Sequence, residues 1–318
     1  DVLKEAGGVS FSLFKIMVPV IIVVKILQEL DLIRFLAAPL APIMRLVGLP
    51  DSMGLVWATA LINNLYSGMA VFVNLPEAHS MTAAQVTVLG VMMLVAHNLP
   101  IEIKIAHESG TRFGFQLAVR VLGAILLGWM LSMAYSWGGW LQEEATIIWQ
   151  PEAASSGILP WAAEQVQGLG MVFLIIAGLV LVMRLLNILK ISELLIRMLH
   201  PLLRFLGIGK EASTITVIGM TMGLAYGGGL IIHEAKSGRV GKKDIFFSLT
   251  LMGLVHSIIE DTMLMVVLGG HLSGLLWARL VFGLVFLFVL VKVVGRMSSS
   301  RFHRYLFKEP AAARAANA

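Results

Sequence analysis

The sequence predicts an all-α integral membrane protein built from two inverted repeats, each with about three transmembrane helices, a re-entrant hairpin and an interfacial helix. Apolar residues make up 58% of the chain and charged residues only 14%, with a mean hydropathy of +0.87. A soluble domain carries roughly 25% charged residues. Several apolar runs are close to the ~20 residues that a helix needs to cross a bilayer. The two halves of the chain also align without a gap.

The alignment of the two halves uses a single offset of 159 positions, half of the 318 residues. Similar composition can repeat Leu and Val, but it has no reason to place Pro, Arg, Gly and His at one common shift. A duplicated apolar unit is typical of transporters. The matched pairs include Pro42 and Pro201, Arg45 and Arg204, Gly48 and Gly207, Gly68 and Gly227, Met93 and Met252, His97 and His256, Arg120 and Arg279, and, as a conservative pair, Glu102 and Asp261.

The apolar runs place the elements in order. In the first half we expect a crossing at 13–32, an interfacial helix at 35–49 that ends at Gly48, a hairpin at 53–73, and crossings at 86–105 and 113–135. Interfacial helices are amphipathic and often carry basic residues. The corresponding segments of the second half are 169–189, 194–208, 211–233, 245–268 and 275–294.

The charge distribution orients these elements. Lys and Arg are absent between Arg120 and Arg184, where the connector 138–166 is acidic and rich in tryptophan, including Trp149. The positive-inside rule places the connector outside and the basic segments inside, with both chain ends cytoplasmic. We therefore expect a multi-pass protein of the bacterial inner membrane. The net charge of +5 then reflects loop orientation, and we expect no nucleic-acid partner.

The segment 211–233 is flanked by basic residues on both sides, which favours a hairpin that enters and leaves on the cytoplasmic side. Its glycines interrupt a continuous helix and allow a tight reversal. Three crossings and one hairpin make an odd number of crossings, so the two units are inverted. The alternative is that 53–73 and 211–233 both cross the membrane, which would make the repeats parallel.

A histidine and a carboxylate lie near mid-bilayer in each half. In the first half, the crossing at 86–105 carries His97, Asn98 and Glu102 around Pro100, which breaks the helix. Ionisable side chains at that depth are costly and usually face a cavity or a partner, so they are functional candidates. Their counterparts in the second half are His256, Ser257, Glu260 and Asp261. His256 and Glu260 are spaced i, i+4, so we expect them on one helical face.

The predicted hairpins supply a second set of candidates. Adjacent amides and hydroxyls at a hairpin tip suit a polar solute. In the first hairpin these are Asn63, Asn64, Tyr66 and Ser67, and in the second they are Tyr226, Gly227 and Gly228. The alternatives are that the histidines only hydrogen-bond between helices and that the hairpin glycines only pack. Arg120 and Arg279 either pair with a carboxylate or anchor at the headgroups.

The sequence offers candidate metal ligands but no catalytic motif. Imidazole and carboxylate suit several divalent metals, so His97, Glu102, His256 and Glu260 are the candidate ligands, with no metal assigned. The chain has no cysteine, and the His-Glu-x-x-His pattern of metalloproteases is absent. We therefore expect no catalytic residues and no enzymatic activity.

Four stretches resemble those of bacterial membrane proteins of the nucleoside-recognition, or Gate-domain, family. This superfamily includes the spore-maturation proteins A and B and the permease part of ferrous-iron transporters, and it is related to the concentrative nucleoside transporters. The resemblance implies paired Gate units with re-entrant hairpins and broken helices. The stretches are Gly48-Leu49-Pro50, Asn63-Asn64-Leu65-Tyr66-Ser67-Gly68, Ala96-His97-Asn98-Leu99-Pro100-Ile101-Glu102 and Ala225-Tyr226-Gly227-Gly228-Gly229.

The resulting expectation is a Gate repeat at 1–137, the connector at 138–166, a second Gate repeat at 167–297 and a basic cytoplasmic tail at 298–318. The predicted function is secondary transport of a small polar solute, with H⁺ or Na⁺ as the coupling ion, no other cofactor and a midplane site at the repeat interface. The alternatives are a divalent-cation permease and a membrane assembly protein that does not transport. A homo-oligomer in the bilayer is compatible with a chain of this size.

Overall fold

The computed structural model describes residues 2–30, 32–148, 157–223, 229–230, 232–235 and 239–308. This part of the chain is helical and contains no β-strand, apart from two isolated bridges, Thr82 with Glu144 and Thr111 with Phe307. The predicted all-α class is confirmed. The predicted site residues Tyr226, Gly227 and Gly228, as well as Trp149 of the connector, lie outside the described residues.

The first half contains eight named α-helices. They are α1 (Val2–Glu29), α2 (Ile33–Ala37), α3 (Ala41–Leu46), α4 (Met53–Ile62), α5 (Leu65–Val73), α6 (Ala83–Val95), α7 (Leu99–Glu108) and α8 (Phe113–Gly138). A short 3₁₀-helix, Pro76–Ser80, precedes α6. The predicted interfacial helix at 35–49 is thus two short helices, α2 and α3, joined by a turn.

In the second half we name seven helices. They are α9 (Ile158–Ile188), α10 (Ile191–Phe205), α11 (Lys210–Met222), α12 (Lys242–Leu254), α13 (Glu260–Val267), α14 (Arg279–Gly295) and α15 (Ser299–Tyr305). A π-helical segment, Ser273–Ala278, leads directly into α14. Pro201 lies inside α10, which remains one continuous helix. The corresponding segment of the first half is instead divided at residues 38–40 into α2 and α3.

Five helical segments of the described chain are long and apolar enough to cross a membrane. They are Val2–Glu29, Ala83–Glu108, Phe113–Gly138, Leu159–Leu186 and Ser273–Gly295. Large apolar side chains on α1, such as Ile22 and Val23, are exposed, as expected of a surface that faces lipid rather than water. The chain is therefore a multi-pass membrane protein by the length and composition of its helices.

The helix boundaries recur at the offset found in the sequence. Ala83–Val95 of α6 and Lys242–Leu254 of α12 have the same length and begin 159 positions apart. The left-handed residues also recur in three pairs: Gly48 with Gly207, Asn98 with Ser257, and Gly110 with Gly269. Each pair keeps a positive φ, so the two halves change direction at corresponding residues.

Two helices are broken in mid-course. Between α6 and α7 the chain leaves the helix at Ala96 and re-enters it at Leu99, with Asn98 at φ 47°. Between α12 and α13, Ser257 has φ 44°. The expectation that His256 and Glu260 share one helical face is therefore wrong, because the left-handed Ser257 separates them.

The two halves cover each other at corresponding loops. The connector contacts the second half, where the Ile148 amide donates to the carbonyl of Val267 at 3.0 Å. The segment after α15 contacts the first half, where the Lys308 amide donates to Gly110 at 2.6 Å. Helices α1 and α9, which correspond at the same offset, also pack on each other. The core lies between these contacts, around the two helix breaks.

Candidate functional site

The two predicted histidines meet at the centre of the molecule. The Nε2 atoms of His97 and His256 lie 3.2 Å apart, with the two ring centroids separated by 4.9 Å. Both side chains are buried, with 6% and 2% of their surface exposed. Each histidine lies two residues after the end of a helix, α6 or α12, and so the two helix breaks face each other.

The hydrogen bonds of the Nδ1 atoms define the tautomer of both histidines. Nδ1 of His97 is 2.9 Å from the carbonyl oxygen of Met93, and Nδ1 of His256 is 2.9 Å from that of Met252. A carbonyl oxygen only accepts, so each Nδ1 carries the hydrogen. In the neutral rings, both Nε2 atoms then present lone pairs to each other. Two facing lone pairs at 3.2 Å are stabilised by a cation between or beside them.

Glu102 supplies a third electron-pair donor. Its Oε1 lies 3.5 Å from Nε2 of His97 and 3.3 Å from Nε2 of His256. The first turn of α7 brings this carboxylate back toward the break. Within the described chain, these three residues form the one group of His, Asp and Glu side chains whose donor atoms all lie within 4.8 Å of one another. Of the four predicted metal ligands, Glu260 is therefore not part of this group.

Two buried arginines hold the broken helix ends. Arg120 donates to the carbonyls of Val95 and His97, both at 3.0 Å. Arg279 donates to the corresponding carbonyls of Leu254, at 3.0 Å, and His256, at 2.8 Å. A helix that ends leaves its last carbonyls without intrahelical partners, and cations are favoured there by the helix dipole. The two guanidinium groups therefore stabilise both breaks.

The two arginines differ in their carboxylate partners. Nη1 of Arg120 forms a hydrogen-bonded ion pair with Oε2 of Glu102. The corresponding Asp261 is one methylene shorter. Nη1 of Arg279 is buried and has no hydrogen-bond partner. Oδ2 of Asp261 lies 3.9 Å from Nε2 of His97, so this carboxylate is beside the histidine pair without joining it.

Backbone hydrogen bonds anchor both breaks to the neighbouring helices. The amide of Asn98 donates to the carbonyl of Ala60 in α4, and the amide of Ile258 donates to that of Met220 in α11, both at 2.9 Å. Asparagine tolerates a left-handed backbone better than most residues, whereas serine does so less readily. Asn98 and Ser257, both predicted site residues, therefore shape the breaks through their backbones.

The polar residues between α4 and α5, in the first predicted hairpin, form their own network. Asn64 caps α5 by accepting from the amide of Ser67 at 2.9 Å and from its hydroxyl at 3.1 Å. Asn63 Nδ2 donates to Ser67 Oγ at 2.9 Å. These amides thus satisfy one another at the helix start. Tyr66 follows them in the first turn of α5 and is partly buried.

A polar cavity of about 850 Å³ lies apart from the histidines, between α1, the α2–α3 segment, the end of α5 and α9. In its wall, Arg45 bonds Asp51 through Nε at 2.8 Å and Nη2 at 2.5 Å, and this hydrogen bond lowers the pKa of the Asp51 carboxyl. The cavity contains none of the predicted site residues. Other polar residues lining it are Lys25, Gln28, Arg34, Asn74, Glu77, His79, Glu164 and Gln165.

Two features of this region were not predicted. The sequence left carboxylate pairing and headgroup anchoring open for Arg120 and Arg279. The structure shows the carboxylate pair for Arg120, and the carbonyl contacts of both arginines were not predicted. The cavity had no signal, because its lining comes from four separate parts of the chain. Asp261 and Glu260, by contrast, were predicted as candidates; Asp261 lies beside His97, and Glu260 begins α13.

Comparison with known proteins gives one informative match. The chain is 30% identical over 274 residues to the uncharacterized membrane protein YvoD of Bacillus subtilis, which covers 85% of this chain and 86% of that protein. The chain therefore belongs to the same family as this protein. Neither a family model nor a solved structure matches the chain.

Proposed function

We propose that this chain, which belongs to the same family as the Bacillus subtilis membrane protein YvoD, is a secondary transporter of a small polar solute or ion. The observation that supports it is the meeting of His97, His256 and Glu102 at two helix breaks. Buried ionisable groups and broken helices at the centre of a membrane protein are typical of transport sites.

The two halves form inverted Gate repeats in this proposal. Reciprocal contacts between the halves support this arrangement. His97 meets its own counterpart His256, and each half covers a corresponding loop of the other. A two-fold axis between the halves accounts for such contacts. Three crossings and one hairpin in each half place that axis in the membrane plane. The resemblance to Gate-domain proteins agrees with this arrangement.

The hairpin assignment is supported by helix length. Helix α4 has ten residues and α5 nine, so each is about 15 Å long or less, half of the hydrocarbon thickness. The two helices pack on each other and are separated by Asn63 and Asn64. A segment that turns back at its middle has this form. We place the hairpin opening outside and both chain ends in the cytoplasm of a bacterial cell, following the loop charges.

The polar cavity gives the solute a place of entry in this proposal. It is bordered by Val73 and Asn74 at one end of α5, and Asn64 caps the other end. A nine-residue helix spans about 13 Å, so the cavity and the hairpin tip are one short helix apart. Movement of this hairpin against the α6 and α12 breaks would expose the histidines to each side in turn.

The test is two-sided labelling of a single cysteine, for which the cysteine-free chain needs no background mutations. Ser257→Cys places a thiol at the second break. We expect a membrane-impermeant maleimide to label it both in right-side-out and in inside-out vesicles. Ser80→Cys and Ser299→Cys, in exposed segments, are the controls that should each label from one side. Labelling of Ser257→Cys from neither side would contradict transport and favour an assembly role.

A further inference from the structure

The donor atoms at the helix breaks have the spacing of a tetrahedral metal site. Their three separations are 3.2 Å between the histidine Nε2 atoms and 3.3 Å and 3.5 Å from these to Oε1 of Glu102. A tetrahedral zinc with bonds of about 2.0–2.1 Å holds its ligand atoms about 3.3–3.4 Å apart. Octahedral coordination at the same bond length would require about 2.9 Å.

We propose that His97, His256 and Glu102 bind one divalent transition-metal ion in tetrahedral coordination, with Zn²⁺ the best fit. The proposal of a metal site is based on the distances between these three donor atoms. The further statement that the ion is what the protein carries rests on the proposed transport function.

The ligands already have the tautomer and the orientation that a metal needs. Metal-binding histidines usually donate their other ring N–H to a carbonyl or carboxylate, which orients the ring. His97 and His256 do this through the carbonyls of Met93 and Met252. Glu102 is oriented in the same way, because Arg120 binds its Oε2 and leaves Oε1 directed at the histidines.

The donor types select the class of ion. Mg²⁺ and Ca²⁺ prefer oxygen ligands in larger numbers, whereas imidazole suits Zn²⁺ and similar transition metals. Two imidazole nitrogens and one carboxylate oxygen form a ligand set found in zinc sites that keep a fourth position open. Asp261 lies nearby, with Oδ2 3.9 Å from Nε2 of His97. A small movement of Asp261, or a water molecule, would complete the coordination.

The surroundings favour an ion that exchanges over one that is held permanently. Arg120 is bonded to the ligand Glu102, and Arg279 is also buried nearby. Two fixed positive charges reduce the attraction of the site for a cation in a medium of low dielectric constant. A permeating ion must bind well enough to enter and weakly enough to leave. This balance is expected of cargo rather than of a structural zinc.

The test uses the intact protein in lipid nanodiscs after treatment with a chelator. Titration with Zn²⁺ by calorimetry should show one site per chain. The His97→Ala/His256→Ala variant and Glu102→Gln should each weaken binding by at least about tenfold. The matched control is His107→Ala/His271→Ala, which removes two exposed histidines and should leave the affinity unchanged.

A spectroscopic measurement on the unmodified protein guards against variants that fail to fold. Co²⁺ at the site should give the intense visible absorption of tetrahedral coordination, and Zn²⁺ should displace it. Weak octahedral absorption, or equal zinc affinity in the site variant and its control, would overturn the metal site. Two-sided labelling of Ser257→Cys without zinc binding would support the transport function and contradict the metal site. Zinc binding without two-sided labelling would support the metal site and contradict the transport function.

Discussion

Arg120 and Arg279 bind corresponding carbonyls at the two helix breaks, but of the two only Arg120 reaches a carboxylate. Its Nη1 pairs with Glu102, whereas Nη1 of Arg279 is buried without a hydrogen bond. The difference follows from one methylene, because the residue that corresponds to Glu102 is Asp261. A buried donor without a partner costs about 1–3 kcal/mol, so the second break is less well stabilised than the first.

Lengthening the carboxylate side chain at position 261 and shortening the one at position 102 should therefore have opposite effects on the free energy of unfolding. We expect Asp261→Glu to reach Arg279 and to raise the free energy of unfolding by about 1 kcal/mol. Glu102→Asp should leave Arg120 without its partner and lower it by about 1–3 kcal/mol. Denaturant unfolding in detergent measures both variants. Equal stability of Glu102→Asp and the wild type would show that the ion pair does not stabilise this break.

Removing the first guanidinium should be more damaging still. Arg120→Met leaves Glu102 charged in a buried site and two carbonyls without donors, so we expect a loss of about 3–5 kcal/mol. Lys104→Met is the control, because Lys104 is largely exposed and 4.0 Å from Glu108. Exposed pairs of this kind contribute about 0–1 kcal/mol. Similar thermal stability of the two variants would be inconsistent with a clamping role for Arg120.

The close packing of α14 on the second break allows a test with alanine. A Cβ added at Gly283 would lie 2.4 Å from Cγ2 of Val255, next to His256. Valine is stiff at χ1, so we expect Gly283→Ala to destabilise the protein by about 1–3 kcal/mol. At Gly114 a Cβ meets nothing within 4 Å. Gly114→Ala should be neutral or stabilising by up to about 1 kcal/mol. The opposite ranking in a thermal unfolding assay would exclude this packing.

The cap of α5 should depend on the side-chain oxygen at position 64. Asn64→Ala removes the acceptor for the Ser67 amide, and we expect a loss of about 0.5–2 kcal/mol. Asn64→Ser retains a capping oxygen and should lose less. If alanine and serine unfold at the same denaturant concentration, the amide contributes through contacts other than the cap.

The sequence predicted much of this site because its strongest signals are local or repeated. The common offset predicted that His97 and His256 correspond, and Pro100 predicted the break before α7. The second break was missed because no proline marks it and the left-handed Ser257 produces it instead. Hydrogen bonds of Arg120 and Arg279 to carbonyls 23 and 25 residues earlier in the chain depend on tertiary packing. No local pattern could decide between pairing with a carboxylate and anchoring at the headgroups, and neither alternative included these carbonyl bonds.

The claim that the His97–Glu102–His256 group lies on a transport path is tested most directly by ion flux. Purified protein is reconstituted into liposomes that contain a zinc-sensitive dye, and Zn²⁺ is added outside. We predict entry into wild-type liposomes at a rate that falls at least about tenfold in Glu102→Gln, while the exposed Glu108→Gln control retains it. Equal flux through wild type and Glu102→Gln, with both proteins folded, would contradict the account.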